Sequence, residues 1–343
     1  TNSTTIGPAL REPTLKLMGS GLLLTQSVSP GDSGDTVSFG VNVTHDYTEA
    51  TSSDAYEMQV RVVLSPYLTI TSYTASGAAV NYSTSNTTAY DVTFDVNTLL
   101  TTETFVLEVF ATINNDVYPA QGGIYGTVDV TYDSHPLVSP EERNPGRSYS
   151  IASNQSADLI IMEPSLETFD WTASSVANTL GSNVTIGEEV TLVARVKLPE
   201  LETRVVLDDV FPSDGGLYIV HVNDTVGAQI NCTKSVSYTD PGSSGKNTSV
   251  SFDYGVCRNT QDSSNGISSE HDYINVTVVA LVNDNATLNT AASDKVFTPS
   301  STLSYTGTSG FGGTLATTTN STTIGPALRE PTLKLMGSGL LLT

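Results

Sequence analysis

Residues 30–44 read Pro30-Gly31-Asp32-Ser33-Gly34-Asp35-Thr36-Val37-Ser38-Phe39-Gly40-Val41-Asn42-Val43-Thr44. The opening cluster of Pro, Gly, Asp and Ser supplies the backbone freedom and local hydrogen bonding of a turn. The residues after it alternate, with Val37, Phe39, Val41 and Val43 on one side and Ser38, Gly40, Asn42 and Thr44 on the other. A period of two puts each set on its own face of a strand, so this stretch predicts a strand with one buried and one solvated face.

The same pattern recurs along the chain. Met58, Val60 and Val62 alternate, as do Phe105, Leu107, Val109, Ala111 and Ile113. Later, Val190, Leu192, Ala194 and Val196 face one way while Thr191, Arg195 and Lys197 face the other, and Ile274, Val276 and Val278 alternate with Asn275 and Thr277. No segment carries a helical stripe. Many short strands with one apolar face predict an all-β chain of antiparallel β-sandwich domains, two sheets packed face to face in each. The 343 residues suffice for two such domains, and apolar content of 38% can fill their cores.

Charge narrows the partners. Asp and Glu total 36 against 14 Lys and Arg, a formal charge of −22. Such a surface repels nucleic acid and anionic membrane. No apolar run approaches the roughly 18 residues of a membrane span. With no initiator Met and no signal sequence, the chain reads as mature or as a window of something longer.

Repetition sets the organisation. Residues 1–25, TNSTTIGPALREPTLKLMGSGLLLT, recur letter for letter at 319–343. This predicts a tandem array whose next unit starts in the final residues, and hence a fibre or stalk. A weaker repeat lies inside the unit. Glu12-Pro13-Thr14-Leu15 recurs as Glu163-Pro164-Ser165-Leu166, and Gly34-Asp35-Thr36-Val37 as Gly187-Glu188-Glu189-Val190. Phe110–Asn114 matches Val279–Asn283. The expected layout is a linker at 1–11, domain 1 at 12–161, domain 2 at 162–310, a Thr/Ser/Gly-rich linker at 311–330, and the first strand of the next repeat at 331–343. Leu15, Leu17 and Leu22–Leu24 should form the opening strand of domain 1. Residues 298–323 read as a stalk able to carry O-linked sugar.

The order of these motifs is a Glu-Pro-x-Leu opening, then a Gly-acid-x-Val-x-aromatic strand, then Ala55-Tyr56-Glu57 running to Leu64 and Pro66. Phe94-Asp95-Val96-Asn97-Thr98-Leu99 comes next in domain 1, and Leu198-Pro199, Val206–Pro212 and Ser251–Gly255 fit the same scheme in domain 2. This resembles the conserved immunoglobulin-like repeat modules of long cell-surface and fimbrial proteins. The resemblance implies an immunoglobulin-like sandwich and a structural or adhesive role, with no catalytic residues. Some relatives carry Lys–Asn isopeptide cross-links; Lys16 lies near the opening strand but has no evident Asn and acid partners.

Asn-x-Ser/Thr sequons stand at Asn2, Asn42, Asn81, Asn86, Asn154, Asn183, Asn223, Asn231, Asn247, Asn275, Asn285 and Asn320. Asn42 and Asn275 fall on the solvated side of their strands, where a glycan is tolerated. These features point to a eukaryotic secretory product, extracellular or on the cell surface. Cys232 and Cys257, the only cysteines, sit in β-like runs of one domain and are expected to form a disulfide between neighbouring strands.

Catalytic readings fail one by one. Gly31-Asp32-Ser33-Gly34 resembles the nucleophile stretch of trypsin-like proteases, but a Ser nucleophile needs a His and an acid brought to it. His45 lacks that family's surrounding motif, and His135, His221 and His271 are scattered. Asp208-Asp209 and Asn283-Asp284-Asn285 are the candidates for calcium at strand ends, without a complete ligand loop. The expected function is a non-enzymatic, cofactor-free repeat unit of a glycosylated extracellular filament whose partners are further copies of itself. An adhesin or receptor ectodomain binding protein or carbohydrate is the alternative.

Overall fold

The structure is a computed structural model. It describes residues 12–19, 21–26, 30–46, 52–77, 82–85, 87–119, 123–136, 147–176, 184–210, 216–233, 248–260, 270–283, 297–306 and 316–321. The chain divides into two compact units, Thr1–Met162 and Glu163–Thr343.

Unit 1 contains β1 (Leu15–Leu17), β2 (Leu23–Gln26), β3 (Thr36–His45), β4 (Ala55–Leu64), β5 (Leu68–Ser76), β6 (Tyr82–Ser85), β7 (Asp91–Leu99), β8 (Thr104–Ile113), β9 (Gly126–Asp133) and β10 (Ser148–Gln155). One sheet runs β1-β3-β8-β5, with β2 also on β3, and the other runs β10-β9-β4-β7-β6. Unit 2 contains β11 (Ser165–Ser174), β12 (Glu189–Lys197), β13 (Glu202–Val210), β14 (Leu217–Val226), β15 (Ile230–Cys232), β16 (Ser249–Asn259), β17 (Tyr273–Val282), β18 (Ser300–Thr306) and β19 (Ala316–Ser321). Its sheets run β11-β12-β17-β14 and β15-β16-β13-β18-β19. All pairings between these strands are antiparallel. The fold is all-β and immunoglobulin-like, and its one helical element among the described residues is the 3₁₀ turn Glu270–Asp272.

The two units share one topology. In order across the sheet, β1, β3, β8 and β5 correspond to A, B, E and D of an immunoglobulin domain, and β4, β9 and β10 to C, F and G. A hairpin inserted between D and E, β6-β7, extends the second sheet beside β4. Unit 2 repeats every step, with β15-β16 as the inserted hairpin and β19 in the place of β10.

The internal sequence repeat marks equivalent backbone. Gly34 and Gly187 lie at φ 90° and 83°, where glycine alone is unstrained. Their amides donate to Ile113 O at 2.9 Å and Val282 O at 2.8 Å. The amides of Asn114 and Asn283 then donate to Tyr67 O and Gly216 O, each at 2.9 Å. Each turn thus ties the B strand to the end of the E strand.

Alternation fills the cores. Val37, Phe39, Val41 and Val43 are buried, and Phe94 of the opposite sheet lies 6.4 Å from Phe105, ring centroid to centroid. In unit 2 Val190, Leu192, Ala194 and Val196 join Val205, Leu207, Phe252 and Leu303 in one cluster. Burial of such side chains stabilises by about 1.5–3 kcal/mol each.

Three sequence expectations change. Ser38 and Thr44, placed on the solvated face, are buried. Thr25 of β2 lies over that face, its hydroxyl 2.8 Å from Ser38 Oγ, and Thr104 Oγ1 donates to Thr44 Oγ1 at 3.4 Å. The opening strand is split into β1 and β2, because Gly19 and Gly21 take φ of 69° and 99° between them. Residues 311–330, read as linker, contain β19, which pairs along β18 from Ser300↔Ser321 to Tyr305↔Ala316. Ser301 and Ser304, within the supposed stalk, are buried. β-branched Thr suits an edge strand as well as a stalk, so composition alone misassigned it. The expected linker at 1–11 and the strand at 331–343 lie outside the described residues.

Candidate functional site

Gly31–Gly34 is a turn: Asp32 N donates to Asp35 Oδ2 at 3.0 Å and Asp35 N to Asp32 O at 3.2 Å. The Ser33 hydroxyl donates to Asn115 Oδ1. His45 stands at the opposite end of the ten-residue β3, about 30 Å away at the rise of a strand. Its imidazole is buried, with Nδ1 3.0 Å from Ser52 Oγ and Nε2 3.0 Å from Leu99 O. A hydrogen-bonded core histidine at that distance cannot serve Ser33 as a base. His135, His221 and His271 are exposed and lie on separate elements.

Cys232 and Cys257 are joined by a disulfide across the β15-β16 hairpin, where they are directly opposed. The bond lies within one sheet, in the inserted hairpin, rather than between the B and F strands as in antibody domains. Lys16 Nζ donates to Asp46 Oδ1 at 3.0 Å and is 43% exposed, a solvated ion pair with no Asn side chain in its contacts.

The sequons separate by environment. Asn223 in β14 and Asn231 in β15 are exposed, whereas Asn42 in β3 and Asn275 in β17 are half-buried in central strands. Asn154 and Asn320 fall in β10 and β19. Asn2, Asn81, Asn86, Asn183, Asn247 and Asn285 lie outside the described residues.

Asp208 and Asp209, adjacent in β13, point to opposite faces, so their side chains cannot hold one ion together. Asp209 continues the core-facing series Val205, Leu207 and is fully buried. Ser301 stands directly across on β18, yet among the described residues neither carboxyl oxygen of Asp209 nor the Ser301 hydroxyl makes a hydrogen bond of normal geometry. Burial pushes the Asp209 pKa up to about 7, against the opposing effect of the facing Ser301 hydroxyl, and the like charge of Asp208 adds a lesser push upward. The equivalent layer of unit 1 holds Leu64 opposite Gly126. A Cβ on Gly126 would meet Leu22 Cδ2 at 2.5 Å and Leu64 Cδ2 at 2.7 Å, so that layer is packed by hydrocarbon. Asn283 opens the other proposed calcium segment; Asp284 and Asn285 are outside the described residues. No group of three or more His, Cys, Asp or Glu with metal-binding geometry exists among the described residues.

The Glu of each Glu-Pro opening accepts a tyrosine hydroxyl from the closing strands. Tyr149 of β10 donates to Glu12 Oε2 at 2.7 Å and Tyr305 of β18 to Glu163 Oε2 at 2.9 Å. Burial and Glu163 push the Tyr305 pKa up to about 12, so it stays a neutral donor. These bonds tie each Glu-Pro opening to a closing strand, the last in unit 1 and the last but one in unit 2, and give the recurring Glu a role ahead of Pro.

The outer face of β10-β9-β4-β7 carries two adjoining hollows, of 310 and 450 Å³. Gln59 and Thr131 line both. Gln59 Nε2 donates to Asp95 Oδ1 at 2.9 Å, and Arg61 holds Asp91 through Nε at 3.1 Å and Nη2 at 2.5 Å. Glu57 lines the first hollow from a left-handed conformation, φ 48°, at a bulge where β4 shifts register against β9. Sequence reasoning missed this face, because the exposed half of an alternating strand looks the same whether or not it is concave.

No family model matches the chain, and no curated protein does. Among solved structures, the chain is similar to the C-terminal domain of the AgI/II polypeptide BspA of Streptococcus agalactiae, at 9% identity and a TM-score of 0.32, covering 91% of this chain and 99% of that one. It is also similar to a C-terminal fragment of the major pilin GBS80 of the same organism, at 10% identity and a TM-score of 0.30, covering 92% and 91%. The collagen-binding subdomain of the Enterococcus faecalis surface protein ACE matches at 12% identity and a TM-score of 0.26, over 43% of this chain and 97% of that one. With TM-scores below 0.5, these likenesses carry no functional residue over to this chain.

Proposed function

We propose that this chain is a structural repeat unit of a glycosylated extracellular filament or surface stalk, built from tandem immunoglobulin-like domains joined head to tail. The observation that carries the reading is the verbatim recurrence of residues 1–25 at 319–343. Identity at every position is expected of repeated copies of one unit, whereas a recognition domain needs only one tip. Two units of one topology, each fastening its Glu-Pro opening to one of its closing strands, suit a serial chain of beads. The disulfide is consistent with an oxidising compartment. Among the described residues no helix is long and apolar enough to cross a membrane.

Electron microscopy of native material tests the reading. Thin filaments with a regular bead repeat are expected; isolated two-bead particles would sink it. Glycosylation is tested by enzymatic deglycosylation and mass spectrometry, with Asn-to-Asp conversion expected at the exposed Asn223 and Asn231 and also at Asn42 and Asn275.

The hollowed face of β10-β9-β4-β7 favours a second reading, an adhesive module whose ligand lies along Gln59, Arg61, Thr93, Asp95 and Thr131. Its hydrogen-bonding lining suits the hydroxyls of a saccharide. Screening the chain against an oligosaccharide array, with Gln59→Ala as control, supports this reading only if a hit is lost in the variant.

A further inference from the structure

Two sheet edges of unit 2 meet on one side of its sandwich. β11 packs beside β18 and β19, which leaves β14 at the far end of one sheet and β15 at the far end of the other. The chain passes from β14 to β15 through a turn in which Ile230 N donates to Gly227 O at 3.0 Å. Among the described residues β14 pairs with β17 alone and β15 with β16 alone. Each therefore presents one row of backbone groups to which no strand is paired.

Such a row is a template for the strand of another chain. β14 is a strong one, because it runs for ten residues, Leu217–Val226. Its first six, Leu217-Tyr218-Ile219-Val220-His221-Val222, contain no Asp, Glu, Lys, Arg or Pro. Rich in β-formers and free of formal charge, they have the composition from which stacked strands grow. Edges are ordinarily blunted by Lys, by Pro, by a bulge or by shortness. β14 has a register shift against β17 between Ile219 and His221, but no Lys, Arg or Pro along its length. Its one carboxylate, Asp224, is half-buried.

The sequence supplies a different guard. Six sequons fall in described strands, and four of these stand in the terminal strand of a sheet: Asn154 in β10, Asn223 in β14, Asn231 in β15 and Asn320 in β19. Asn223 and Asn231 are exposed, as are Thr225 and Thr233, which complete their sequons. They flank the Gly227 turn, one on each edge of the same side. A hydrated oligosaccharide at each would fill the space that an added strand needs.

We propose that Asn223 and Asn231 carry N-linked oligosaccharides that close the β14-β15 side of unit 2 to strand addition by further copies of the chain. This rests on the glycosylation reading given above and assigns these two sites a purpose. In the modification the Asn amide nitrogen loses a proton and bonds to C1 of the sugar. The C1–O bond to a lipid diphosphate donor breaks, and the diphosphate leaves with the electron pair. The sugars do on this side what Lys and Pro do on other edges.

The full chain, secreted from a eukaryotic host, provides the test. Peptide mass spectrometry comes first: unmodified Asn223 and Asn231 would overturn the inference together with the glycosylation reading at these sites. With sugar present, Asn223→Gln combined with Asn231→Gln is expected to raise the weight-average mass in sedimentation about twofold or more relative to the parent. Asn42→Gln with Asn275→Gln, which removes two sequons from central strands, should leave it unchanged. Equal masses for the two pairs would leave glycosylation standing and overturn the guarding role. Adding His221→Lys to the first pair puts a charge on the bare edge and should return the mass to that of the parent; a mass that stays high overturns pairing through β14. Trp171, the only tryptophan, packs against the core of unit 2, so its fluorescence follows the folding of that unit. Should the first pair fail to fold by that measure, Asn223→Gln alone against Asn275→Gln alone decides by the same ordering.

Discussion

Asp209 is the residue at which the two units part most sharply. It lies in the core layer where unit 1 keeps Leu64, and among the described residues its carboxyl makes no well-formed hydrogen bond. A buried carboxyl in that setting is held neutral, because its ionised form would lose hydration without compensation. Its pKa is about 7 in the folded chain against 3.8 for an ordinary Asp. Between those values the folded state holds a proton that the unfolded state has released, so stability falls as pH rises from about 4 to about 7. Thermal unfolding followed at Trp171 should therefore show a higher midpoint at pH 4.5 than at pH 7.5 from this group. Asp209→Asn should flatten the profile and stabilise unit 2 at pH 7.5 by about 2–3 kcal/mol. A second residue-scale test uses Glu57, whose left-handed φ costs a side-chain-bearing residue about 1–2 kcal/mol. Glu57→Gly should raise the urea midpoint of unit 1 by the equivalent of about 1 kcal/mol. Neither feature was legible in the sequence. Asp208-Asp209 read as a calcium candidate at a strand end because only the opposite sheet reveals which of them is covered, and a bulge leaves no composition signature at Glu57.

Strands with clean alternation were legible, and those without were not. Val37–Val43, Phe105–Ile113 and Val190–Val196 all form strands with the expected core face, since a period of two states both conformation and orientation. The Thr-rich β18 and β19 were hidden, because a run of Thr and Ser shows no hydrophobic period. The solvated face assigned to β3 failed at Ser38 because β2 pairs there and brings Thr25 against it, after the glycines at 19 and 21 split the opening strand, and at Thr44 because Thr104 of β8 meets it. The inserted hairpin β15-β16 carries the disulfide, whose cysteines are 25 residues apart. By the loop-entropy estimate it stabilises unit 2 by about 3 kcal/mol. Reduction should lower the Trp171 midpoint while the transition of unit 1 stays in place. An unchanged midpoint would mean that the hairpin contributes little to the cooperative unit.

At the scale of the whole molecule, fold class and repetition were open to reading, while the concave face of unit 1 and the phase of the repeat required three dimensions. The letter-for-letter recurrence is plain in the sequence; only the strand pairing of Thr319–Ser321 shows that the second copy begins inside a strand of unit 2. On the proposed function the chain is one period of a covalent filament whose domains share one topology. The measurement that bears most directly on it is the mass of the native protein after reduction, deglycosylation and boiling in denaturant. A covalent array should remain many units long, and limited proteolysis should cut it into a ladder spaced by one repeat. A single species at the mass of one unit would contradict it.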